Sequence, residues 1–337
     1  MITLRTIRPS DINAIVSLSN RRLWQRHTGV DEWYADPIKK DMLMPWERLT
    51  LYQRFLNAGV WCDPILYKNH LNWLTRNGGI LLVAEETALG MQRVIAFTEI
   101  WCSEEPSPIG KTGSIIIIEA DTSFVEDPVS KLYTHSKKEI RARGFSTLAI
   151  CPFGSRAVTA NLDDRRWELL SLSQRYRIPR ADIPACVATH QVEEVPVNEL
   201  PVRELFCLDQ SYPPHYLWSS IWEEFEMLPE IRNASYRSKT RKVQLEHDGQ
   251  QVTAVIWIRI WSDQEDYWKL SIWVPSGRED DRELMYELVK IAAEVWNTDD
   301  VPGFELTLDE ENGSFLQNRG FQVDESVLAE PRYYTAL

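Results

Sequence analysis

Residues 94–101 read VIAFTEIW, and residues 254–261 read AVIWIRIW. Laid on one another at an offset of 160 they align residue for residue, apolar on apolar except at Thr98 against Ile258, with a charge on each side at Glu99 and Arg259. Each also follows a second apolar run across a short break, ILLVAEE (80–86) in the first case and KVQLEH (242–247) in the second. Asp248-Gly249 supplies a tight-turn signal for the second pair, so both read as β-hairpins. A further pair, IRPSDI (7–12) and VPVNEL (195–200), precedes each hairpin at a longer distance in the first half. The sequence therefore predicts two copies of one fold, with an insertion in the first copy over residues 25–78.

The order of elements is the same in both copies. The first half predicts a strand at ITLRTIRP, a helix from Ser10 or Asp11, and the hairpin. A central strand at SIIIIEADTS, a helix from Pro128 to Gly144, a central strand at FSTLAICPF and a last helix at DDRRWELLSLSQRY follow. The second half predicts a strand-like entry, a helix at PVRELFCLDQ, the hairpin and a strand at DYWKLSIWV. A helix at DRELMYELVKIAAEVW, a strand at GFELTLDE and a short helix at GSFLQNRG complete it. The fold class is mixed-sheet α/β in two tandem domains, 1–190 and 191–337. A length of 337 residues fits two cores of ordinary size.

Charge divides the copies. Residues 1–190 carry 24 Lys+Arg against 21 Asp+Glu, whereas residues 191–337 carry 13 against 29. An acidic second half disfavours nucleic acid and other polyanions, and leaves the first half as the home for an anionic ligand. The start, MITLRTIRPSD, has no apolar signal segment, and every apolar run is too short to cross a bilayer. Five scattered cysteines without CxxC spacing suit reduced thiols, so a cytoplasmic location without membrane attachment is expected. The six histidines (27, 70, 135, 190, 215 and 247) show no paired ligand spacing, and no metal is expected.

Three stretches carry a resemblance to the GNAT acyltransferase superfamily: IRPSDINAI, LLVAEE with RVIAFTEIW, and TLDEENGSFLQNRGF (307–321). The resemblance spans nearly the whole chain as tandem domains. It implies acetyl-CoA or another acyl-CoA as co-substrate, lying in a splay between two central strands. It also implies an Arg-x-x-Gly-x-Gly loop at a helix N-terminus for the pyrophosphate, and an amine acceptor on a small molecule or peptide. In WVPSGREDDREL (273–284), Pro275 and Arg278 match that loop, but Asp281 and Glu283 stand at the glycine positions. In TSFVEDPVSKLY (122–133) there is neither arginine nor glycine, and Asp127-Pro128 is a self-sufficient helix start. The co-substrate contacts implied in the first copy are Asp121, Ser123, Val125, Ser130 and Lys131; in the second copy the one implied is Arg278.

Glu99 and Glu119 end predicted central strands, where a carboxylate beside apolar neighbours suits amine deprotonation. The family's late-helix tyrosine is absent at Ser173 and Leu316; Tyr176, three residues after Ser173, is either the substitute proton donor that the resemblance asks for or a structural tyrosine. The aromatic stretch Trp33 to Trp73 either lines a substrate pocket or packs a core, and the basic run RSKTRKVQ (237–244) either meets local acids or docks a phosphate. These residues support an acyltransferase. The missing glycines and tyrosine support a pair of non-catalytic binding domains. Neither oligomeric state nor acceptor is specified.

Overall fold

The structure is a computed structural model that describes residues 2–26, 32–36, 41–88, 90–104, 110–121, 127–150, 167–195, 199, 205–209, 237–260, 267–297, 300–325 and 330–337. The described chain forms two compact units. One holds residues up to Glu168 and takes in Tyr334–Leu337; the other lies within Leu169–Tyr333.

In order, the first unit contains β1 (Ile2–Thr6), α1 (Ile12–Arg26), β2 (Glu32–Asp36), β3 (Asp41–Pro45), α2 (Leu51–Ala58) and α3 (Pro64–Arg76). These are followed by β4 (Ile80–Ala88), β5 (Met91–Glu104), β6 (Lys111–Ala120), α4 (Pro128–Ala142) and β7 (Thr147–Ile150). Its sheet runs β1-β4-β5-β6-β7, antiparallel as far as β6 and parallel between β6 and β7. Ile115–Ile118 are buried on both faces, which is why β6 is central. The helices α1 and α3 pack against one face and α4 against the other. Asp127 caps α4, Pro128 is its first residue, and Gly144 ends it at φ +80°, as the sequence predicts.

The second unit contains β8 (Glu168–Pro179), β9 (His190–Glu193), β10 (Leu205–Cys207), β11 (Arg237–His247), β12 (Gln250–Ile260) and β13 (Trp268–Pro275). Then come α5 (Arg282–Val295), β14 (Gly303–Asp309), α6 (Glu310–Gln317) and β15 (Gln322–Val323); the chain closes with β16 (Glu330–Ala336). The sheet order is β8-β14-β13-β12-β11-β9. An antiparallel trio, a helix and a parallel strand therefore recur: β4-β5-β6, α4, β7 in one unit, and β11-β12-β13, α5, β14 in the other. The β11-β12 turn has Asp248 at φ +50° and Gly249 at φ +70°, the backbone that an Asp-Gly hairpin requires. The stripe Leu284, Met285, Leu288, Ile291 and Ala292 of α5 enters a core with Ile256, Ile258, Leu270 and Ile272 of the sheet.

Two expected helices are strands. Residues 168–179 form β8, antiparallel to β14. Within SQRYRIP, Tyr176 and Ile178 are buried while Arg175 and Arg177 alternate with them, and Arg177 Nη2 meets Glu305 of β14 at 2.7 Å. Cross-strand charge pairing and period-two burial override the helical reading. Residues 205–207 likewise form β10 rather than part of a helix, in antiparallel register with β13. The first copy's last element in sequence thus belongs to the second unit, while the chain's end belongs to the first, where the Leu337 amide donates to the Ser146 carbonyl at 2.8 Å. At the start of α1, Asp11 accepts from the Arg8 amide at 2.7 Å and from Arg5 Nη1 at 2.7 Å, so it closes the preceding turn onto β1.

The Tyr176 ring lies against Gly313 of α6. A Cβ built on Gly313 falls 1.9 Å from Tyr176 Cζ. Gly313→Ala should therefore lower stability by about 1–3 kcal/mol, the usual cost of overpacking. That cost should vanish in a Tyr176→Ala background, as read by urea unfolding of the two single variants and the double variant.

Candidate active site

Two features set the site in the first unit: a strand edge and a pair of buried carboxylates. β6 pairs with β7 over Thr112–Ile115 only. The β5-β6 register steps from Glu99↔Ile117 to Ile100↔Ile115, so Ile116 is an extra residue, a β-bulge at the point where β6 leaves β7. Past it, no described strand pairs the β7 side of Ile116–Ala120.

Across β5 and β6, Glu99 faces Ile117 and Phe97 faces Glu119. Side chains two apart on a strand share a face, so both carboxylates project to the α1 and α3 side as diagonal neighbours, about 7 Å apart at their bases. α3 begins on Asp63, which accepts from the Ile65 amide at 2.8 Å, with Pro64 as the first residue. Its inward stripe of Leu66, Tyr67, His70, Leu71 and Leu74 follows helical spacing and brings His70 Nε2 to 2.8 Å from Glu99 Oε2. Trp61 Nε1 donates to Glu99 Oε1 at 3.0 Å. Glu99 and His70 are buried, and both Glu99 oxygens are engaged. Glu119 Oε2 accepts from Ser19 Oγ of α1 at 3.1 Å. The Tyr67 hydroxyl is buried beside them and makes no hydrogen bond of ordinary geometry. Burial, then the charges of Glu99 and Glu119, hold its pKa well above the usual value.

The structure places the candidates Glu99 and Glu119 on one sheet face, with His70, Trp61, Tyr67 and Ser19 around them. His70 carried one signal, its place on the apolar stripe of α3. The aromatic stretch is largely core here: Tyr67 packs on Phe97, and Trp73 lies 5.3 Å from Trp101.

Tyr176 stands on β8 in the second unit, on a strand and not on a helix. Its raised pKa comes from burial first and then from Asp309 and Glu310.

The first turns of both crossover helices are closed by carboxylates. At α4, Asp127 Oδ1 accepts from the Val129 amide at 3.0 Å and the Ser130 amide at 3.2 Å, and Oδ2 accepts from the Ser130 hydroxyl. The Ser130 hydroxyl, together with these two amides, holds the Asp127 carboxyl below its ordinary range against the opposing effect of burial. Lys131 is exposed on the same turn. Asp121 gives its amide to the Ile95 carbonyl at 2.8 Å and its carboxylate to Arg93. Ser123 and Val125 lie outside the described residues.

At α5, Asp281 Oδ1 accepts from the Leu284 amide at 3.0 Å, and Asp281 Oδ2 binds Arg278 Nη1 at 2.9 Å. Arg278 Nη2 donates to Gln250 Oε1 at 2.7 Å, and Glu279 Oε1 takes the Gly277 amide at 2.8 Å. The arginine that matches the phosphate loop is thus committed to its own chain. His247, Asp248 and Asp281 converge here, and Asp281 is already paired with Arg278. The basic run meets acids: Lys239 pairs with Asp300 at 3.1 Å, and Arg241 with Glu194 at 3.1 Å.

No family model and no curated protein matches the chain. Solved structures do. A GCN5-related N-acetyltransferase from Anabaena variabilis aligns with 99% of this chain and 72% of its own, at 12% identity and a TM-score of 0.56. A protein of unknown function from Enterococcus faecalis, described as a probable N-acyltransferase, aligns over the same shares at 8% identity and 0.55. The likeness establishes the fold, that of the GNAT acyltransferases, here in two copies. No helix is long and apolar enough to cross a membrane among the described residues.

The Asp281 cap has a pH signature. Burial alone would raise its pKa, but the Leu284 amide, Arg278 and His247 outweigh that and hold it below the ordinary carboxylate range. A depressed folded-state value stabilises above the unfolded pKa and is lost as pH falls through the folded one. Asp281→Ala should thus cost about 1–2 kcal/mol at pH 7. The gap to wild type should narrow below about pH 4 in urea titrations run against pH.

Proposed function

We propose that the protein transfers an acyl group from an acyl-CoA, acetyl-CoA being the first choice, to the amine of a small molecule or peptide, and that the first unit does so. The observation that carries this is the bulged edge of β6, which no described strand pairs past Ile115 and which carries Glu119. Such a strand edge suits the amides of a pantetheine arm, as β-augmentation does for a peptide. Glu119 is the proposed base. It lies four residues past the parting of β6 from β7 and accepts from the Ser19 hydroxyl, whereas Glu99 is fixed between Trp61 and His70. The neutral amine nitrogen attacks the thioester carbonyl and passes a proton to Glu119; the carbon–sulfur bond breaks, and the departing thiolate takes up that same proton from Glu119, directly or through water. Glu99, fixed by His70 and Trp61, is a positioning residue and a source of negative charge that favours a cationic acceptor.

The fit is uneven along the co-substrate. The β6 edge suits the thioester arm, but Asp127 holds the amides that a pyrophosphate would use. This second point supports the alternative, a non-catalytic binding module. Titration calorimetry with acetyl-CoA separates the two readings. A dissociation constant near ~10 μM at 1 mM ligand would add about 2.7 kcal/mol of stability; no heat and no melting shift with acetyl-CoA or CoA would remove the acyltransferase reading. Asp127→Asn should tighten binding by roughly 0.3–1 kcal/mol, about two- to fivefold, by freeing the helix end of a competing charge. Lys131→Glu should weaken it, and Arg278→Glu should leave it unchanged. With an accepted amine in hand, Glu119→Gln should lower kcat by about 10²–10⁴-fold.

A further inference from the structure

The second unit has the same parting of strands, but there it is filled. β13 meets β14 in parallel register at Trp268 and Lys269 only. Beyond that point the same edge of β13 is taken by β10: Cys207 pairs with Trp273, Phe206 with Val274, and Leu205 with Pro275. The Leu208 amide donates to the Ile272 carbonyl at 2.8 Å. β12 occupies the opposite edge, with no step in its register and so no bulge.

The next residue carries a charge into the fold. Asp209 Oδ2 accepts from Ser271 Oγ at 2.7 Å and lies 3.5 Å from Lys269 Nζ and 3.7 Å from Arg259 Nη2. Arg259 Nη1 also donates to Ser271 Oγ at 3.0 Å, and its guanidinium stacks on Trp257 at 4.0 Å. Its Nε is buried and makes no hydrogen bond. Arg259 and Asp209 have side-chain exposures of 2% and 0%. Arg259 and Lys269 face Asp209, with Glu305 opposite Lys269 on β14, and an unpaired charge at this depth is costly.

The position of that site in the copy is informative. In the aligned hairpins VIAFTEIW and AVIWIRIW, Arg259 stands where the first copy has Glu99, and Trp257 stands where it has Phe97. Cross-strand register extends the match. Glu99 faces Ile117 and Phe97 faces Glu119; Arg259 faces Lys269 and Trp257 faces Ser271. Both sets project from the sheet face opposite the crossover helix. The cleft is acidic in one copy and basic in the other.

We propose that the second unit is a carboxylate-binding site whose resident ligand is the protein's own segment Leu205–Asp209, the backbone lying along β13 and the Asp209 carboxylate on Arg259, Ser271 and Lys269. The ligand class the site accepts is an extended, amide-bearing chain with a carboxylate, as in a peptide. The segment closes this copy to an acyl thioester arm, because the edge that would receive one is already paired. The inference concerns the second unit and stands apart from whether the first unit transfers acyl groups.

Cys207 lies within the segment and reports on it. It is buried, and burial, then Asp209, pushes its thiol pKa well above the ordinary value, so it alkylates slowly while the segment is seated. In full-length Asp209→Ala, iodoacetamide should label Cys207 about tenfold faster or more, the equivalent of about 1.4 kcal/mol of lost anchoring. Sodium acetate should slow that labelling and raise the melting temperature relative to sodium chloride at equal ionic strength, and should do neither in wild type. Equal labelling in variant and wild type, or acetate no better than chloride, would overturn the proposal. Should Asp209→Ala not fold, two measurements decide. Asp209→Asn, which keeps an acceptor for Ser271, should still label faster than wild type. The wild-type Leu208 amide should exchange with deuterium at the slow rate of the core strands; fast exchange there would contradict a seated segment. None of these readouts uses acyl-CoA, so failure here and failure of acyl-CoA binding are separate results.

Discussion

A buried strand edge must have its amides and carbonyls paired, and both halves of this protein contain a central strand that loses its neighbour partway along. Each central strand runs beside a parallel partner for a few residues and then parts from it. In the first unit the parting coincides with a bulge at Ile116 and leaves an edge that no described strand pairs. In the second, β10 supplies the missing partner. One constraint met in two ways separates a copy suited to an extended ligand from one that holds part of itself.

The charges follow the same division. Glu99 and Glu119 are tolerated beneath α1 and α3 because His70, Trp61 and Ser19 supply hydrogen bonds to them. At the matching depth in the second unit, Arg259 and Lys269 meet Asp209 of β10's segment, with Glu305 opposite Lys269. Asp127 and Asp281 perform one task in both copies, giving a carboxylate to the amides of a crossover helix. Those carboxylates stabilise the helices and oppose a phosphate there, so affinity for a nucleotide-bearing ligand has to come from the strand edge.

The repeat, both hairpins, the central strands and the caps of α4 and α5 were legible in the sequence because each rests on local spacing: period-two burial, an Asp-Gly turn, an Asp-Pro or Asp-x-Glu helix start. Glu99 and Glu119 stood out as carboxylates within apolar strand sequences, although β5 runs on past Glu99 to Glu104. Their partners were not legible, since His70 reaches Glu99 only when α3 is laid across β5. β8 and β10 were misread because their conformation is set by distant partners. Arg177 finds Glu305 across β14, and Phe206 finds the edge of β13. No local pattern announces that a three-residue strand will fill a gap left by two others.

The contrast between the two strand edges is the central claim, and hydrogen–deuterium exchange on the whole chain with and without acetyl-CoA tests it most directly. The account predicts that amides of Ile116–Ala120 facing the parted side exchange fast in the free protein and become protected by the ligand. It predicts that amides of β13 beyond Lys269 are protected from the start and do not respond. Protection appearing on β13 with ligand, or none appearing on β6 at concentrations where binding is saturated, would contradict it.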